Sequence, residues 1–400
     1  MKILLVNKFL YPRGGAETYF LQLSRELGAR GHELQFFGMR DEKNVVGNDA
    51  GLYARPMDFH APGPQKLLYP FRILYSADAK AKLLRLIDSF QPDIAHLNNI
   101  HFHLTPSVLE ALRERGVPVV MTAHDYQLVC PNHLLYVPAT GALCQDCVEK
   151  PSLNCIRRGC IHNSALRSGL GYLEAQLYRR RDTYDAIDVL LCPSLFMKEM
   201  LSRQPRFADK TVFLRNFRGP YVSAPPAEKE NYVLYFGRLS VEKGILNLLE
   251  AAKQLPDIDF VLAGDGPLRD RVQGLPNLRW VGFKSGEELA ELIRRARFSV
   301  CPSLWYENCP LSVIESQQLG TPCLATGIGG TRELVGSAFC IPEPGVPALT
   351  RAIRELYDSD EKLRRMTQEQ EARVRSVPDL PQYADALEEI YAEAIRRHRH

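Results

Sequence analysis

Short apolar runs alternate with longer amphipathic stretches along the whole chain. The runs lie at 2–7, 33–37, 93–97, 118–122, 188–192 and 211–215 in the first half, and at 232–236, 259–263, 278–281, 298–302, 322–326 and 338–342 in the second. They are rich in Val, Ile and Leu and apolar on both faces, which marks strands buried inside parallel sheets. Between them, 15–30, 78–90, 244–255 and 286–296 carry apolar residues at helical spacing. This alternation predicts an α/β chain with two doubly wound parallel-sheet domains facing each other across a cleft. Gly219, Pro220, Pro225 and Pro226 interrupt all periodicity over 217–231, a composition suited to a linker, and this places the domains at 1–217 and 218–378. The segment 379–397 is amphipathic and can pack back across either domain. The halves also open alike, with a strand, a glycine-containing turn and a helix. Two stretches break the rhythm: 41–76, which mixes Pro, Gly and aromatics, and 130–162, which gathers cysteines. Insertions on such scaffolds commonly carry selectivity.

Composition narrows the class. With 400 residues, 45% hydrophobic and 24% charged, the chain is ordinary globular protein of two or three domains. Fifty Lys+Arg against 47 Asp+Glu, a net +3, is too balanced for a dedicated nucleic-acid binder, so no nucleic-acid partner is expected. Residues 1–220 nevertheless carry 28 basic against 21 acidic side chains, a net +7, whereas the remainder carries 22 against 26, a net −4. A basic first half suits an anionic partner. No uncharged apolar run approaches the ~18 residues of a spanning helix. Met-Lys-Ile-Leu-Leu-Val-Asn is too short for a signal h-region, and a cytoplasmic protein is expected. The run from Lys66 to Tyr75, with Arg179-Arg180-Arg181, mixes aromatic and basic residues in the first domain. Such a surface can sit on anionic lipid heads at the inner face of the cell membrane; burial of the aromatics in the core is the other reading.

Ten cysteines are unevenly placed. Cys192, Cys301, Cys309, Cys323 and Cys340 are scattered in apolar or loop context and read as small buried hydrophobes. Cys144-x2-Cys147-x7-Cys155-x4-Cys160 has two thiol pairs at spacings close to those of zinc knuckles, with Cys130 able to replace one ligand. A tetrathiolate zinc would pin a loop that lacks a core of its own, and its closed coordination sphere makes it structural. Free thiols and an iron–sulfur cluster remain the other readings.

The candidate chemistry clusters at predicted strand ends of the second half. After the strand ending Cys301-Pro302-Ser303 comes Trp305-Tyr306-Glu307-Asn308-Cys309-Pro310-Leu311, with Glu315 further on. Pro310 suits the first turn of a helix, whose free N–H groups can meet phosphate oxygens. Glu307, ahead of that helix, can reach into a cleft, and Glu315, inside it, can accept two hydrogen bonds from a vicinal diol such as a ribose. Gly237-Arg238-Leu239-Ser240-Val241-Glu242-Lys243-Gly244 sets a guanidinium and an ammonium in one strand-end turn, where they can clamp a diphosphate. The glycines of Gly264-Asp265-Gly266-Pro267 permit close backbone approach to a ligand, and Gly329-Gly330 follow a further strand. Two glutamates or one basic pair alone would more often be solvated surface. Three such motifs on one sheet edge rarely coincide by chance.

These motifs, with Gly14-Gly15-Ala16-Glu17 after the first strand and the Glu-x7-Glu pair Glu307/Glu315, resemble the retaining glycosyltransferases of family 4. The resemblance covers nearly the whole chain and implies the GT-B fold, with a cysteine-bearing insert found in relatives that make surface polysaccharides. It implies a nucleotide diphosphate sugar as donor, with Arg238 and Lys243 on the diphosphate and Glu315 on the ribose. Gly264, Asn308 and Leu311 would line the donor site. It puts Glu307 on the hydroxyls of the transferred sugar and the Gly15 amide near the β-phosphate. His124, in Thr122-Ala123-His124-Asp125-Tyr126, matches the histidine near the donor sugar. Arg238, Lys243, Glu307 and His124 thus form the catalytic set. The chain departs from the family at Asn308-Cys309-Pro310-Leu311, where Gly-Phe-Gly is common, and at Arg215-Asn216-Phe217, where Pro-Asn-Gly-Val is usual. No Asp-x-Asp pair stands at a strand end to hold Mg²⁺, so no catalytic metal is expected, and Arg238, Lys243 and a helix N-terminus would stabilise the developing charge. The expected acceptor is a carbohydrate or a lipid-linked sugar. A nucleotide-sugar epimerase or hydrolase on the same scaffold and a non-catalytic zinc-containing scaffold protein are the alternatives.

Overall fold

All twelve predicted runs form strands. The computed structural model describes residues 1–56, 69–221 and 228–398. Residues 66–68 of the basic–aromatic run and 222–227 of the predicted linker lie outside the described residues. The chain divides into two compact units, Met1–Leu214 with Leu380–His400, and Arg215–Asp379.

The first unit is built on a six-stranded sheet of β1 (Lys2–Val6), β2 (Glu33–Phe37), β3 (Ile94–Leu97), β4 (Val119–Thr122), β7 (Val189–Cys192) and β8 (Thr211–Phe213). The order is β2-β1-β3-β4-β7-β8, and every pairing is parallel. β3, β4 and β7 are buried at every position, as strands covered by helices on both faces must be. Chain order reverses between β1 and β3, and ligands of such sheets bind beyond the strand ends at that point. The cysteine-bearing stretch forms a small hairpin, β5 (Tyr136–Val137) and β6 (Ala142–Leu143), then the short helix Asn154–Arg157.

The helix Leu380–His398 packs on this first unit. Tyr383, Ala384, Leu387, Tyr391 and Ala394 are buried at helical spacing. Its hydroxyls extend a buried polar chain: Tyr383 to Tyr19 at 2.6 Å, Tyr19 to Thr122 at 3.3 Å, Thr122 to His96 Nε2 at 2.7 Å, and His96 Nδ1 to Tyr391 at 2.6 Å. Arg30 binds Asp385 and the carbonyl of Pro381 at its outer end.

The second unit carries β9 (Tyr232–Phe236), β10 (Asp259–Ala263), β11 (Leu278–Trp280), β12 (Phe298–Cys301), β13 (Cys323–Thr326) and β14 (Cys340–Ile341). The order β11-β10-β9-β12-β13-β14 is again wholly parallel and reverses between β9 and β12. The helix after β12 spans Leu311–Gln318, so Pro310 stands just ahead of it, one place before its expected position. Proline fits there because it fixes φ and has no N–H to leave unsatisfied.

Candidate functional site

The loops that follow β9 and β12 meet at the reversal point of the second sheet. Glycines make that approach possible. Gly244 has φ 74°, and a Cβ on it would stand 2.0 Å from the Pro302 carbonyl oxygen. A Cβ on Gly264 would stand 1.9 Å from the Gly237 carbonyl oxygen, and one on Gly329 would stand 2.4 Å from that of Glu307. Any side chain there would push the strand-end loops apart.

Glu307 lies at the centre of this junction, 4% exposed. Its Oε1 accepts from Lys243 Nζ at 2.6 Å, Ser303 Oγ at 2.6 Å and Trp305 Nε1 at 3.0 Å. The Gly330 amide donates to its carbonyl at 2.8 Å. Three donors on one oxygen hold the carboxylate in a fixed orientation. Lys243 also lies over the Trp305 ring, 5.3 Å from its centre. Burial pulls the Lys243 ammonium down, but Glu307, Cys301 and Glu242 together outweigh it and the pKa ends above the usual value. An ammonium has three donors, so Lys243 can hold Glu307 and still offer N–H groups to a ligand.

Arg238 is exposed in the same β9 loop and has no ion pair among the described residues; its carbonyl accepts from Tyr235 at 2.7 Å. Gly264 lies beside it at the end of β10. Asn308 is buried, and Leu311 opens the following helix half-buried. Burial raises the Glu315 carboxyl to about 7, offset in part by a hydrogen bond from Tyr221. The structure therefore gathers Lys243, Glu307, Gly264, Asn308 and Leu311 at one sheet edge, with Arg238 exposed beside them and Glu315 one turn further along the helix that Leu311 opens. Ser303, Trp305 and Tyr221 carry no predicted role, yet they fix the two glutamates. Arg215 ion-pairs with Glu333 at 3.0 Å, and Asn216 donates to the Cys309 carbonyl at 3.5 Å, so this departure from the family turn is occupied by contacts within the unit.

In the first unit, Gly15 is the exposed first residue of the helix Gly15–Ala29. His124 follows β4. Its Nε2 lies 2.8 Å from Asn98 Oδ1, and its ring meets the edge of Tyr19 at 5.0 Å. Burial depresses its pKa to about 4, so the imidazole is neutral at physiological pH. Asn98 Nδ2 is buried without a hydrogen-bond partner among the described residues. Lys8, Asn98 and Asp125 were not singled out from the sequence, although each lies within three residues of the end of β1, β3 or β4. Burial lowers the Lys8 pKa against the attraction of Asp125 and Glu17. Burial raises Asp125, but His133, Lys8 and His101 together draw it below its ordinary value.

The cysteine window folds around one small cavity lined by Cys130, Cys144, Cys147, Cys155 and Cys160. Arg158 enters it, donating to Cys144 Sγ at 3.0 Å and pairing with Asp146 at 2.9 Å. All ten cysteines are free thiols. Among the described residues no group of three or more His, Cys, Asp or Glu is arranged to hold a metal ion. The predicted ligands thus share a cavity without forming a ligand set.

Two wholly parallel six-stranded sheets, each with its loops converging beyond a reversal point, make the GT-B fold of glycosyltransferases. The chain belongs to glycosyltransferase family 4: the family model described as Glycosyltransferase Family 4 matches residues 13–217, and that described as Glycosyl transferases group 1 matches 222–373. It is 30% identical over 367 residues to an uncharacterized glycosyltransferase of Methanocaldococcus jannaschii, covering 84% of this chain and 83% of that one. It is 30% identical over 175 residues, 40% of this chain, to the alpha-D-kanosaminyltransferase of Streptomyces kanamyceticus, and over 213 residues, 49% of this chain, to a glycogen synthase of Mycobacterium tuberculosis. The chain spans about half the length of these two relatives, 45% and 51%. Sucrose-phosphate synthase from Thermosynechococcus elongatus superimposes with a TM-score of 0.70 at 19% identity over 98% of both chains. An Anabaena protein in complex with UDP does so at 0.69 and 17% identity, over 98% of this chain and 100% of that one.

Proposed function

We propose that the protein transfers a sugar from a nucleotide diphosphate sugar to a carbohydrate or lipid-linked acceptor, with retention of anomeric configuration. The observation that carries this reading is Glu307, a buried carboxylate held on one oxygen by Lys243, Ser303 and Trp305 at the reversal point of the second sheet. A carboxylate so fixed is suited to the hydroxyls of a sugar whose charge redistributes as its glycosidic bond breaks. Lys243 and Arg238 would hold the diphosphate, the Gly15 amide would lie near the β-phosphate, and Glu315 would hold the ribose. Neutral His124 would contact the donor sugar. Retention would follow from attack on the face the phosphate leaves, with the phosphate taking the acceptor's proton. The similar proteins support both substrate classes: the Anabaena protein was solved with UDP, and an alpha-monoglucosyldiacylglycerol synthase of Streptococcus pneumoniae, 24% identical over 82% of this chain, is named for a glycolipid.

For the cysteine window, the proposal is one structural zinc. Thiols at two close spacings around a single cavity supply suitable donors. Binding would have to draw the sulfurs inward and displace Arg158 from Cys144. For the reaction itself, the test is a thermal-shift panel of nucleotide sugars, followed by product analysis with and without acceptor. Donor-dependent stabilisation and acceptor-dependent product support transfer. Donor turnover to an epimer or free sugar without acceptor favours the epimerase or hydrolase reading. Failure to bind any nucleotide diphosphate favours a scaffold.

A further inference from the structure

The helix Ala165–Arg180 is inverted. It buries Ser168, Gly171, Glu174 and Tyr178 and turns a leucine stripe outward. Leu166 is 85% exposed and Leu173 is 56% exposed, with Leu170 and Leu177 half-buried beside them. At 100° per residue these four leucines fall within an arc of about 60°, along about 16 Å of helix. The buried side is fixed by its own contacts. Tyr178 donates to the Leu74 carbonyl at 2.7 Å, and Ser168 Oγ accepts from the Ile161 amide at 2.9 Å. The neighbouring helix, Tyr69–Leu74, adds Phe71, 70% exposed.

The exposed charges on this helix and on the two short helices packed against it have one sign, and the nearby acids Glu149 and Asp182 are paired with Arg203 and Arg206. The single acid of the helix, Glu174, is buried, and burial raises its pKa to about 8. Arg167 and Arg180 are exposed, and Arg179 is half-buried. Arg72 is the only charged residue of the Tyr69–Leu74 helix, and the short helix Asn154–Arg157, packed on the same element, ends in exposed Arg157. A partner offering an apolar layer beneath negative charge would match both features.

We propose that the leucine face of Ala165–Arg180 docks the first unit on an anionic lipid bilayer, with the leucines and Phe71 among the outer acyl chains and the arginines at the head groups. The proposed contact is peripheral, and no helix among the described residues is long and apolar enough to cross a membrane. The surface predicted from Lys66–Tyr75 thereby shifts mainly to a different helix, keeping Phe71 and Arg179–Arg180. Arg181 is committed to Glu110, bonding both its oxygens at 2.8 and 3.0 Å.

Vesicle flotation of the full chain tests this without requiring sugar transfer. Wild-type protein should float with vesicles of phosphatidylcholine plus phosphatidylglycerol and stay down with phosphatidylcholine alone. Leu166→Glu/Leu173→Glu should lower binding to the anionic vesicles by at least ~10-fold while leaving the circular dichroism spectrum unchanged. Arg167→Glu/Arg180→Glu should weaken binding and flatten its salt dependence. Equal binding by wild type and the leucine variant would overturn the proposal, as would equal binding to both vesicle types. Absence of vesicle binding with a dimer that Leu173→Glu dissolves would assign the face to a second copy instead. If no sugar transfer were found at all, flotation would still decide the docking surface.

Discussion

Lys243 Nζ and Glu307 Oε1 are 2.6 Å apart, so the two residues assigned to opposite ends of the scissile bond are partners of one another. The pair is largely enclosed, with side-chain exposures of 27% and 5%. Removing one member leaves the other's charge poorly compensated. Lys243→Met is therefore expected to lower stability by up to roughly 3 kcal/mol, and the double variant Lys243→Met/Glu307→Gln to recover part of that loss. Chemical denaturation of the four proteins of this cycle measures it. Additive losses would mean that the two side chains do not sense one another.

Glu315 should make donor binding pH-dependent. Burial raises its carboxyl to about 7, so near neutrality a substantial fraction is protonated in the free protein. A carboxylate binds a ribose diol better than its protonated form, because hydrogen bonds to an ionised acceptor are stronger. Affinity for the nucleoside diphosphate that the thermal-shift panel selects is thus expected to rise between pH 6 and pH 8 more steeply in wild type than in Glu315→Gln. Calorimetry at both pH values gives the comparison. Parallel pH dependence would remove Glu315 from the ribose.

Glu174 predicts a stability trend of its own. It is buried, its Oε1 has no hydrogen-bond partner among the described residues, and burial raises its pKa to about 8. The folded chain then holds a proton that the unfolded chain has released from about pH 4.5 upward, so this group's contribution to stability declines as pH rises towards 8. Glu174→Gln cannot ionise. Its melting temperature relative to wild type is expected to be higher at pH 8 than at pH 5.

The cysteine window is expected to contain about one zinc per chain. Cys147→Ser should lower metal content and melting temperature together. Metal-free protein of unchanged stability would show that the cavity is lined by free thiols.

Much of the fold was legible because its strands are buried on both faces and so appear as compact apolar runs. Even β14, only two residues long, falls inside its predicted run. Glu307 was legible for another reason: it follows a strand end and precedes a helix start, both marked locally. The donors that fix it were not. Ser303 and Trp305 flank it in sequence, but nothing in their spacing says that their side chains turn back to the same oxygen. Tyr221 and Asn98 are brought to Glu315 and His124 by tertiary packing alone. The leucine face was hidden for a deeper reason. A pattern of apolar residues at helical spacing normally marks the buried side of a helix, and at 165–180 packing with neighbouring elements selects the polar side instead. The cysteines illustrate the converse, since their spacing brings them to one cavity without bringing them into a coordination shell.

The most direct measurement of the central claim is steady-state kinetics of Glu307→Gln and Glu315→Gln, with nucleotide sugar varied at saturating acceptor. Glu307 is assigned to the sugar undergoing transfer, so its substitution should lower kcat by more than it changes donor affinity. Glu315 is assigned to the ribose, bound alike in ground and transition states, so its substitution should chiefly raise donor KM. Loss of one charge-assisted hydrogen bond is worth roughly 1.5–3 kcal/mol, or about one to two orders of magnitude in either parameter. A reversed pattern would exchange the two roles, and wild-type kinetics in both variants would contradict the placement of the donor site at Glu307.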